Sequence, residues 1–350
     1  MIIPLIIPLL SFAEDNGLAK TPPLGWNPWN CYASAGASET IVLAAAAVMK
    51  AKLPSYEYIN LDCGWSTKHR DPVTGELQVN ATRFPHGMKW LGDQLHAMGL
   101  KFGMYGAMGY RQCCSGSADP TANDGSGPGC SKVKDNKQKQ VCRNTSFYEL
   151  DATLWASWGV DLVKFDGCGG AFTDVQPMRD ALVKTQRPIL YSIHANVVQG
   201  EMEVDLANMW RVGADIGASY EQSLDRAMIS NTVNKYLTAA KGGWNDPDML
   251  QVGNFAKPPW GGGPPALFPD AEGRTQFALW CIIKAPLLIG TALVNMTDAT
   301  LATLTNAAAI AVNQGETVFI IQPLMSTFDI FLRACAHNLT CSQFDLLLTT

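Results

Sequence analysis

Short hydrophobic runs alternate with helical patterns along most of the chain. Eight runs, most of them rich in β-branched or aromatic residues, predict strands: Leu24–Trp29, Tyr56–Leu61, Lys101–Met104, Asp161–Phe165, Ile189–Ile193, Met209–Gly213, Gly243–Trp244 and Pro286–Ile289. Between them, apolar residues at helical spacing predict helices: Glu39–Ala51, His86–Met98, Phe147–Trp158, Val175–Thr185 and Tyr220–Tyr236. Strands that alternate with helices in this way indicate βαβ units and a parallel sheet.

Eight such units over residues 21–315 predict an α/β fold of the (β/α)8 TIM-barrel type, which typically takes about 250 residues. A doubly wound sheet is the alternative, but Gly25-Trp26-Asn27-Pro28 after the first strand is not a G-x-G-x-x-G turn. The longest insertion, residues 106–146, follows the third strand. We expect it to form a disulfide-pinned loop on the active face, held by some of its four cysteines: Cys113, Cys114, Cys130 and Cys142.

The two ends of the chain differ from the middle. Residues 1–20 predict a leader, because an apolar stretch ends in small residues near Ala13, as in a signal peptide. That stretch has no positively charged start, so an ordinary buried N-terminal segment is the alternative. Residues 316–350 are too few for an independent domain. Secretion is also favoured by a set of four Asn-x-Ser/Thr sites: Asn80, Asn144, Asn295 and Asn338.

Composition narrows the function classes. With 47% hydrophobic and 16% charged residues among 350, the chain is expected to be globular rather than disordered. A net charge of -5 argues against nucleic-acid binding, and no apolar run is long enough to predict a membrane span. The cysteines lack paired zinc-type spacing, and Cys281, in an apolar helical run, is expected to be a buried free thiol.

Polar residues follow several predicted strands. In a barrel the carboxyl ends of the strands converge on one pocket. A single Asp after a strand is more often a turn residue or a helix cap. Here four aspartates follow four different strands, with a basic residue beside two of them: Asp62, Asp166, Asp215 and Asp248, with Lys164 and Arg211. The set predicts a site. Nearby aromatics offer platforms for a sugar ring, with core packing as the alternative for each: Trp26, Trp29, Trp65, Tyr105, Trp210 and Trp244.

The surroundings of two of these aspartates predict different roles. Alternation along the strand puts Lys164 and Asp166 on one face, where the lysine keeps the carboxylate ionised and suited to nucleophilic attack. Asp215 lies four residues beyond Arg211, where we expect partial burial to favour the protonated acid. One nucleophilic and one proton-donating carboxyl group are what a glycosidase needs. Metal-dependent hydrolysis is the weaker alternative, because His194 is the one histidine at a predicted strand end.

Five segments, in this order, resemble the melibiases, the α-galactosidase-type retaining enzymes of glycoside hydrolase family 27. They are Leu24-Gly25-Trp26-Asn27-Pro28-Trp29-Asn30, Tyr58-Ile59-Asn60-Leu61-Asp62, Lys164-Phe165-Asp166-Gly167-Cys168, Trp210-Arg211-x-x-Ala214-Asp215-Ile216 and Gly243-Trp244-Asn245-Asp246-Pro247-Asp248-Met249-Leu250. The resemblance covers residues 21–315.

The resemblance implies a role for each matching residue. Asp166 would be the nucleophile and Asp215 the acid/base, about 5–5.5 Å apart as in retaining enzymes. Cys113 would pair with Cys168. The substrate would be the terminal α-D-galactosyl residue of an oligosaccharide or glycoconjugate, with no cofactor and no metal. Residues expected to line the sugar subsite are Trp26, Asp62, Tyr105, Lys164, Arg211 and Asp248.

Three departures from the family pattern leave the substrate open. Cys63 replaces a second sugar-binding aspartate after Asp62, and we expect it to pair with Cys31. Losing that acceptor favours β-L-arabinopyranose, a sugar without the hydroxymethyl group, as an alternative to galactose. The segment His194-Ala195-Asn196 does not distinguish a sugar with a 2-hydroxyl group from one with a 2-acetamido group. An α-N-acetylgalactosaminidase is therefore a further alternative. Residues 316–350 would be the stub of a truncated C-terminal β-sandwich. A galactose-binding barrel with weak catalysis is the alternative of another class.

Overall fold

The computed structural model describes residues 16–67, 69–109, 114, 132–134, 140–142, 145–169, 175–194, 206–232, 242–254 and 268–315. Eight of its strands form one parallel sheet: β1 (Leu24–Trp26), β2 (Tyr58–Asn60), β3 (Lys101–Gly109), β6 (Leu162–Gly169), β7 (Leu190–His194), β8 (Met209–Arg211), β9 (Trp244–Asp246) and β10 (Leu287–Ile289). Two more, β4 (Lys132–Lys134) and β5 (Gln140–Cys142), pair antiparallel within the long insertion.

The sheet curls into a barrel. Its strand order is β10-β1-β2-β3-β6-β7-β8-β9, so the last strand pairs with the first. Just beyond β9, Leu250 bridges to β10, donating its N–H to Leu288 O at 2.8 Å and accepting from Gly290 N at 2.9 Å. The predicted TIM-barrel fold is confirmed.

Helices cover the outside of the sheet. They are α1 (Trp29–Tyr32), α2 (Glu39–Lys52), α3 (Gly87–Ala97), α4 (Thr145–Ser157), α5 (Gln176–Lys184), α6 (Tyr220–Thr232), α7 (Asp270–Ile282), α8 (Asp298–Leu304) and α9 (Ala307–Gln314). The five predicted helices are α2 to α6; for α6, residues 233–236 lie outside the described part. Within the residues described, no helix has the length and apolar character that a membrane crossing requires.

Strand alternation sorts the side chains of the sheet into two layers. Residues facing the helices, such as Val163 and Phe165 of β6, join the main hydrophobic core. Their neighbours on the same strand, Leu162, Lys164 and Asp166, face the barrel axis. Inside the barrel, apolar residues lie toward the amino ends of the strands, which we call the lower end. Polar residues lie toward the carboxyl ends, which we call the upper end. The lower cluster consists of Tyr58, Leu162, Leu190, Met209 and Trp244.

The segment ahead of β1 covers the lower end of the barrel. Asn16 exchanges side-chain hydrogen bonds of 3.1 Å with the buried Asn208. The Trp244 indole N–H donates to Ala19 O at 2.6 Å, and Leu18 packs against the lower apolar cluster. Residues 16–20, which we assigned to the leader, therefore contact the barrel in the described structure.

A buried ion pair ties the loop after β2 to α4. Arg70 donates from both terminal nitrogens to the two oxygens of Asp151, each at 2.8 Å, and also to Gly75 O at 2.8 Å. The Arg70 side chain is 5% exposed and that of Asp151 is fully buried. Burial raises the pKa of Asp151, and the Arg70 guanidinium opposes that shift.

We expect Arg70→Met to lower the free energy of unfolding by about 3–5 kcal/mol, because it leaves the Asp151 charge buried without a partner. Thermal unfolding followed by circular dichroism measures the loss. The double variant Arg70→Met/Asp151→Leu is the control, because it removes the pair together and should recover most of the stability. A single variant as stable as the wild type would contradict the prediction.

Candidate active site

A cleft opens at the carboxyl ends of the barrel strands. Its volume is about 410 Å³, counting the part that is open to solvent. Its polar lining comes from six different strands or the residues that follow them: Asn27, Asn60, Lys164, Ser192, His194, Arg211, Asp246 and Asp248. Leu162, Met209 and Leu288 form part of its apolar lining. A concave site with converging polar groups is typical of small-molecule binding.

Asp62, two residues after β2, lies on one side of the cleft with three donors. Its Oδ2 accepts from Lys164 Nζ and from Asn27 Nδ2, both at 2.8 Å, and its Oδ1 accepts from Cys63 N at 2.8 Å. The side chain is 3% exposed. Burial lowers the pKa of Lys164, but the charges of Asp62 and Asp166 outweigh it and raise the pKa above its usual range. The lysine is therefore a fixed cation.

Asp166, near the end of β6, is held as an anion. Its Oδ2 accepts from the Tyr105 hydroxyl at 3.0 Å, and its Oδ1 accepts from Gly167 N at 2.8 Å and contacts His194 Nδ1 at 3.1 Å. Burial opposes ionisation, yet the hydrogen bond to His194 and the charge of Lys164 hold the Asp166 pKa well below its usual range. A buried, ionised carboxylate at the mouth of a cleft is suited to nucleophilic attack.

Arg211 joins the two remaining aspartates. One of its terminal nitrogens, Nη2, lies 2.7 Å from Asp248 Oδ2 and 3.1 Å from Asp215 Oδ1. The Asp248 side chain is 4% exposed, whereas that of Asp215 is 46% exposed. Asp215 is therefore only partly buried, because this residue lies at the rim, on the loop after β8. The exposed fraction of the Asp215 side chain is much larger than that of Asp166, whose side chain is 10% exposed.

Asp248 adopts a left-handed backbone conformation, with φ at +85°. Such a conformation costs on the order of 1–3 kcal/mol away from glycine. The carboxylate offsets the cost with hydrogen bonds from Ile216 N at 2.7 Å and Met249 N at 2.8 Å. Burial raises the pKa of both Asp248 and its neighbour Asp246, and Arg211 opposes each shift. This strained turn fixes the far wall of the cleft.

Among the residues that the structure describes, no aromatic side chain lines the cleft. Trp26 was predicted to contact the sugar, and this is wrong: Gly25 and Asn27 face the barrel axis, so Trp26 faces the helices. It is fully buried, and its indole N–H donates to Thr291 O at 2.8 Å. Of the six predicted platforms, Trp26, Trp65, Trp210 and Trp244 are core residues, Tyr105 contacts Asp166, and Trp29 is partly exposed.

The expected pairing of Cys63 with Cys31 is wrong. Cys63 bonds to Cys114, and Cys31 is a free thiol whose Sγ lies 3.4 Å from Pro28 O. The chain after β3 brings Cys114 to the end of β2, which sequence spacing does not reveal. A disulfide does pin the long insertion, as predicted. Cys281 is a buried free thiol, also as predicted, whereas the Cys113–Cys168 pairing lies outside the described side chains.

Five of the polar residues that line the cleft were missing from the predicted set: Asn27, Asn60, Ser192, His194 and Asp246. Asn27 follows β1 and orients Asp62, and His194 ends β7 beside Asp166. Considering every polar residue at the end of a predicted strand, rather than the acidic residues alone, identifies both Asn27 and His194. Asp62, Tyr105, Lys164, Asp166, Arg211, Asp215 and Asp248 come together at one mouth.

Known proteins are similar to this chain in sequence and in fold. Residues 21–124 and 138–315 match the melibiase family described as alpha galactosidase A. An alpha-galactosidase of Arabidopsis thaliana is 36% identical over 86% of this chain and 62% of its own. The alpha-galactosidase of Saccharomyces cerevisiae solved with raffinose has a TM-score of 0.67 at 27% identity, covering 88% of this chain and 67% of its own.

A β-L-arabinopyranosidase of family 27 from Geobacillus stearothermophilus, solved with arabinose, has a TM-score of 0.70 at 27% identity. The alignment covers 86% of this chain and 79% of that structure. Fold and site together define the class of glycoside hydrolases of the α-galactosidase type. The chain belongs to glycoside hydrolase family 27, the melibiases. It spans 62–67% of the length of the first plant and yeast relatives that it matches.

Proposed function

We propose that this protein hydrolyses terminal α-D-galactosyl residues with retention of configuration, through a covalent glycosyl-enzyme. The observation that carries the proposal is the contrast between Asp166, buried and held ionised, and Asp215, exposed at the rim. His194 Nδ1 lies 3.1 Å from the first and 4.0 Å from the second, so their nearest oxygens are at most about 7 Å apart. The 5–5.5 Å separation of retaining enzymes stays a prediction.

In the first step an oxygen of Asp166 attacks the anomeric carbon of the sugar. A covalent bond forms between this oxygen and that carbon while the bond from the carbon to the leaving oxygen breaks. The protonated carboxyl group of Asp215 gives its proton to the leaving oxygen and becomes a carboxylate. The aglycone leaves as an alcohol, and the galactosyl group stays attached to Asp166.

In the second step water replaces Asp166 at the same carbon. Asp215, now a carboxylate, takes a proton from the water molecule, whose oxygen attacks the anomeric carbon. The ester bond to Asp166 breaks and its electron pair returns to the carboxylate. Two inversions give net retention, so the first product is α-galactose.

The remaining groups of the cleft suit the hydroxyls of a sugar. The ion pair of Asp62 with Lys164 supplies acceptors and donors on one wall, and that of Arg211 with Asp248 supplies them on the other. Each pair is buried and neutral as a whole, so it can bind an uncharged sugar without leaving a charge unpaired. We propose Trp29, partly exposed where α1 begins and two residues after the cleft-lining Asn27, as the aromatic residue that covers the ring.

A second candidate substrate is a β-L-arabinopyranoside. Cys63 is bonded to Cys114 and fully buried, so it offers no carboxylate to a hydroxymethyl group. The β-L-arabinopyranosidase found among the structural relatives also supports this candidate. A binding barrel without catalysis is disfavoured, because binding alone requires neither Asp166 nor Asp215.

We also propose that the protein is secreted. The Cys63–Cys114 disulfide fits an oxidising compartment, and the apolar N-terminal stretch fits a signal peptide. Asn295 is exposed and available for glycosylation, whereas the Asn80 side chain is partly buried and accepts hydrogen bonds from two backbone amides. Asn144 and Asn338 lie outside the described residues.

A substrate panel tests the proposed activity. We expect hydrolysis of 4-nitrophenyl α-D-galactopyranoside or of 4-nitrophenyl β-L-arabinopyranoside by the purified protein, and α-N-acetylgalactosaminide completes the panel. Proton NMR of the first-formed product should show the anomer of the substrate. Hydrolysis of neither of the first two substrates would overturn the proposed activity, and an inverted first product would overturn the two-step mechanism.

A further inference from the structure

His194 is in contact with both carboxylates of the proposed reaction. It ends β7 in direct register with Asp166 of β6. Its Nδ1 lies 3.1 Å from Asp166 Oδ1 and 4.0 Å from Asp215 Oδ1, and its side chain is 12% exposed. One ring nitrogen therefore lies between the nucleophile and the acid/base.

The chemistry of the neighbouring groups settles which partner donates. Asp166 is held ionised, and an ionised carboxylate can only accept hydrogen bonds. Nδ1 of His194 therefore carries the proton that points to Asp166 Oδ1. The other oxygen of Asp166 accepts from the Tyr105 hydroxyl at 3.0 Å, so each oxygen has its own donor.

Negative charge moves between these two carboxylates during the reaction. Before the first step Asp166 is charged and Asp215 is neutral; after it, Asp166 is an ester and Asp215 is charged. The second step reverses the change. Of the neighbouring cations, Lys164 is bonded to Asp62, and Arg211 is bonded to Asp248 at 2.7 Å and to Asp215 at 3.1 Å. His194 differs from Arg211 in that its ring nitrogen lies within 4.0 Å of both Asp166 and Asp215. His194 Nδ1 is 4.0 Å from Asp215 Oδ1, so the two atoms must come about 1 Å closer to form a hydrogen bond.

We propose that His194 is a positioning residue whose Nδ1–H hydrogen bond follows the negative charge from Asp166 to Asp215 and back. The inference rests on the proposed function. In the first step the donor stabilises the carboxylate that Asp215 becomes, and in the second step it stabilises the departing Asp166. No proton leaves His194 in either step, so the atoms and charges of the two-step mechanism stay balanced.

Three variants separate the hydrogen bond from the shape of the ring. His194→Asn places an amide N–H near the position of Nδ1, His194→Gln places one near that of Nε2, and His194→Leu removes both. Each is compared with the wild type for kcat/KM, which reports the first step, and for thermal stability. The substrates are melibiose, whose leaving oxygen requires a proton, and 2,4-dinitrophenyl α-D-galactopyranoside, whose leaving group does not.

We expect His194→Leu and His194→Gln to lose about 10–100-fold in kcat/KM on melibiose, the worth of a hydrogen bond to a charged group. The loss on the dinitrophenyl substrate should be several-fold smaller, because no charge then develops on Asp215. His194→Asn should stay within about threefold of the wild type. A residue that only fills space would not produce this dependence on the leaving group.

Equal losses on the two substrates, or a Gln variant as active as the Asn variant, would overturn the inference. The comparison of Asn with Gln decides the question even where the Leu variant fails to fold. If the wild type hydrolyses neither substrate but does hydrolyse the arabinopyranoside, the same comparison is made with the corresponding arabinosides. If the wild type is inactive on all of these substrates, the proposed function is overturned. If the wild type is active and the His194 variants are equally active, only the proposed role of His194 is overturned.

Discussion

Asp166→Ala should lower kcat for 4-nitrophenyl α-D-galactopyranoside by at least about 10⁴-fold, because it removes the carboxylate that forms the covalent intermediate. Removing the side chain also opens space beneath the anomeric carbon. Added azide should occupy that space and attack in its place. The expected product is β-galactosyl azide, formed by a single inversion, and it is detected by NMR or mass spectrometry.

A matched control is Asp225→Ala on helix α6, whose carboxylate is 59% exposed and bonded to its neighbour Arg226. It should keep wild-type kcat and give no azide product. An Asp166→Ala protein with more than about a tenth of wild-type kcat would assign the nucleophile to another residue. Formation of the α-azide by this variant would instead identify Asp166 as the acid/base.

Asp215→Ala should have an effect that depends on the leaving group. We expect kcat/KM for melibiose to fall by about 10²–10⁴-fold, because the sugar alkoxide cannot leave without a proton. For 2,4-dinitrophenyl α-D-galactopyranoside the fall should be much smaller, since the phenolate leaves unaided. The comparison of kcat/KM on the two substrates is therefore the measurement.

Azide again distinguishes the roles of the two carboxylates. In the Asp215→Ala protein the covalent intermediate still forms, so azide should attack it and yield α-galactosyl azide, the retained product. The charge of Asp215 also contacts Arg211, and Asp215→Asn serves as a second variant that keeps a polar partner there. Equal losses on both substrates would contradict the assignment of Asp215 as acid/base.

Much of the site follows from one rule about parallel barrels. Because strand ends converge, the aspartates after β2, β6, β8 and β9 were expected at one mouth, and Asp62, Asp166 and Asp248 lie there with Lys164 and Arg211. The rule works for these residues because burying a charged side chain is costly without a partner. The helices were predictable for a similar reason, since each must cover the sheet with one apolar face.

What the rule misses is decided by contacts between distant segments. Trp26 and Asn27 are neighbours in the sequence. Because side chains alternate along a strand, they lie on opposite faces of the sheet at the end of β1. The partner of Cys63 depends on the path of the chain after β3. The importance of His194 arises from its register with β6, which the pairing of the strands determines. Sequence patterns report local periodicity and carry none of this information.

The lower end of the barrel constrains when the chain can finish folding. Asn16 and Asn208 are 192 residues apart, and Ala19 and Trp244 are 225 apart. The segment ahead of β1 must therefore wait for the synthesis of β9 before its last partner exists. Contacts of such sequence separation slow folding, because closing a long loop costs entropy before any contact compensates for it. Until then the apolar lower cluster is uncovered on that side, and this is the stage at which we expect the nascent chain to need a chaperone.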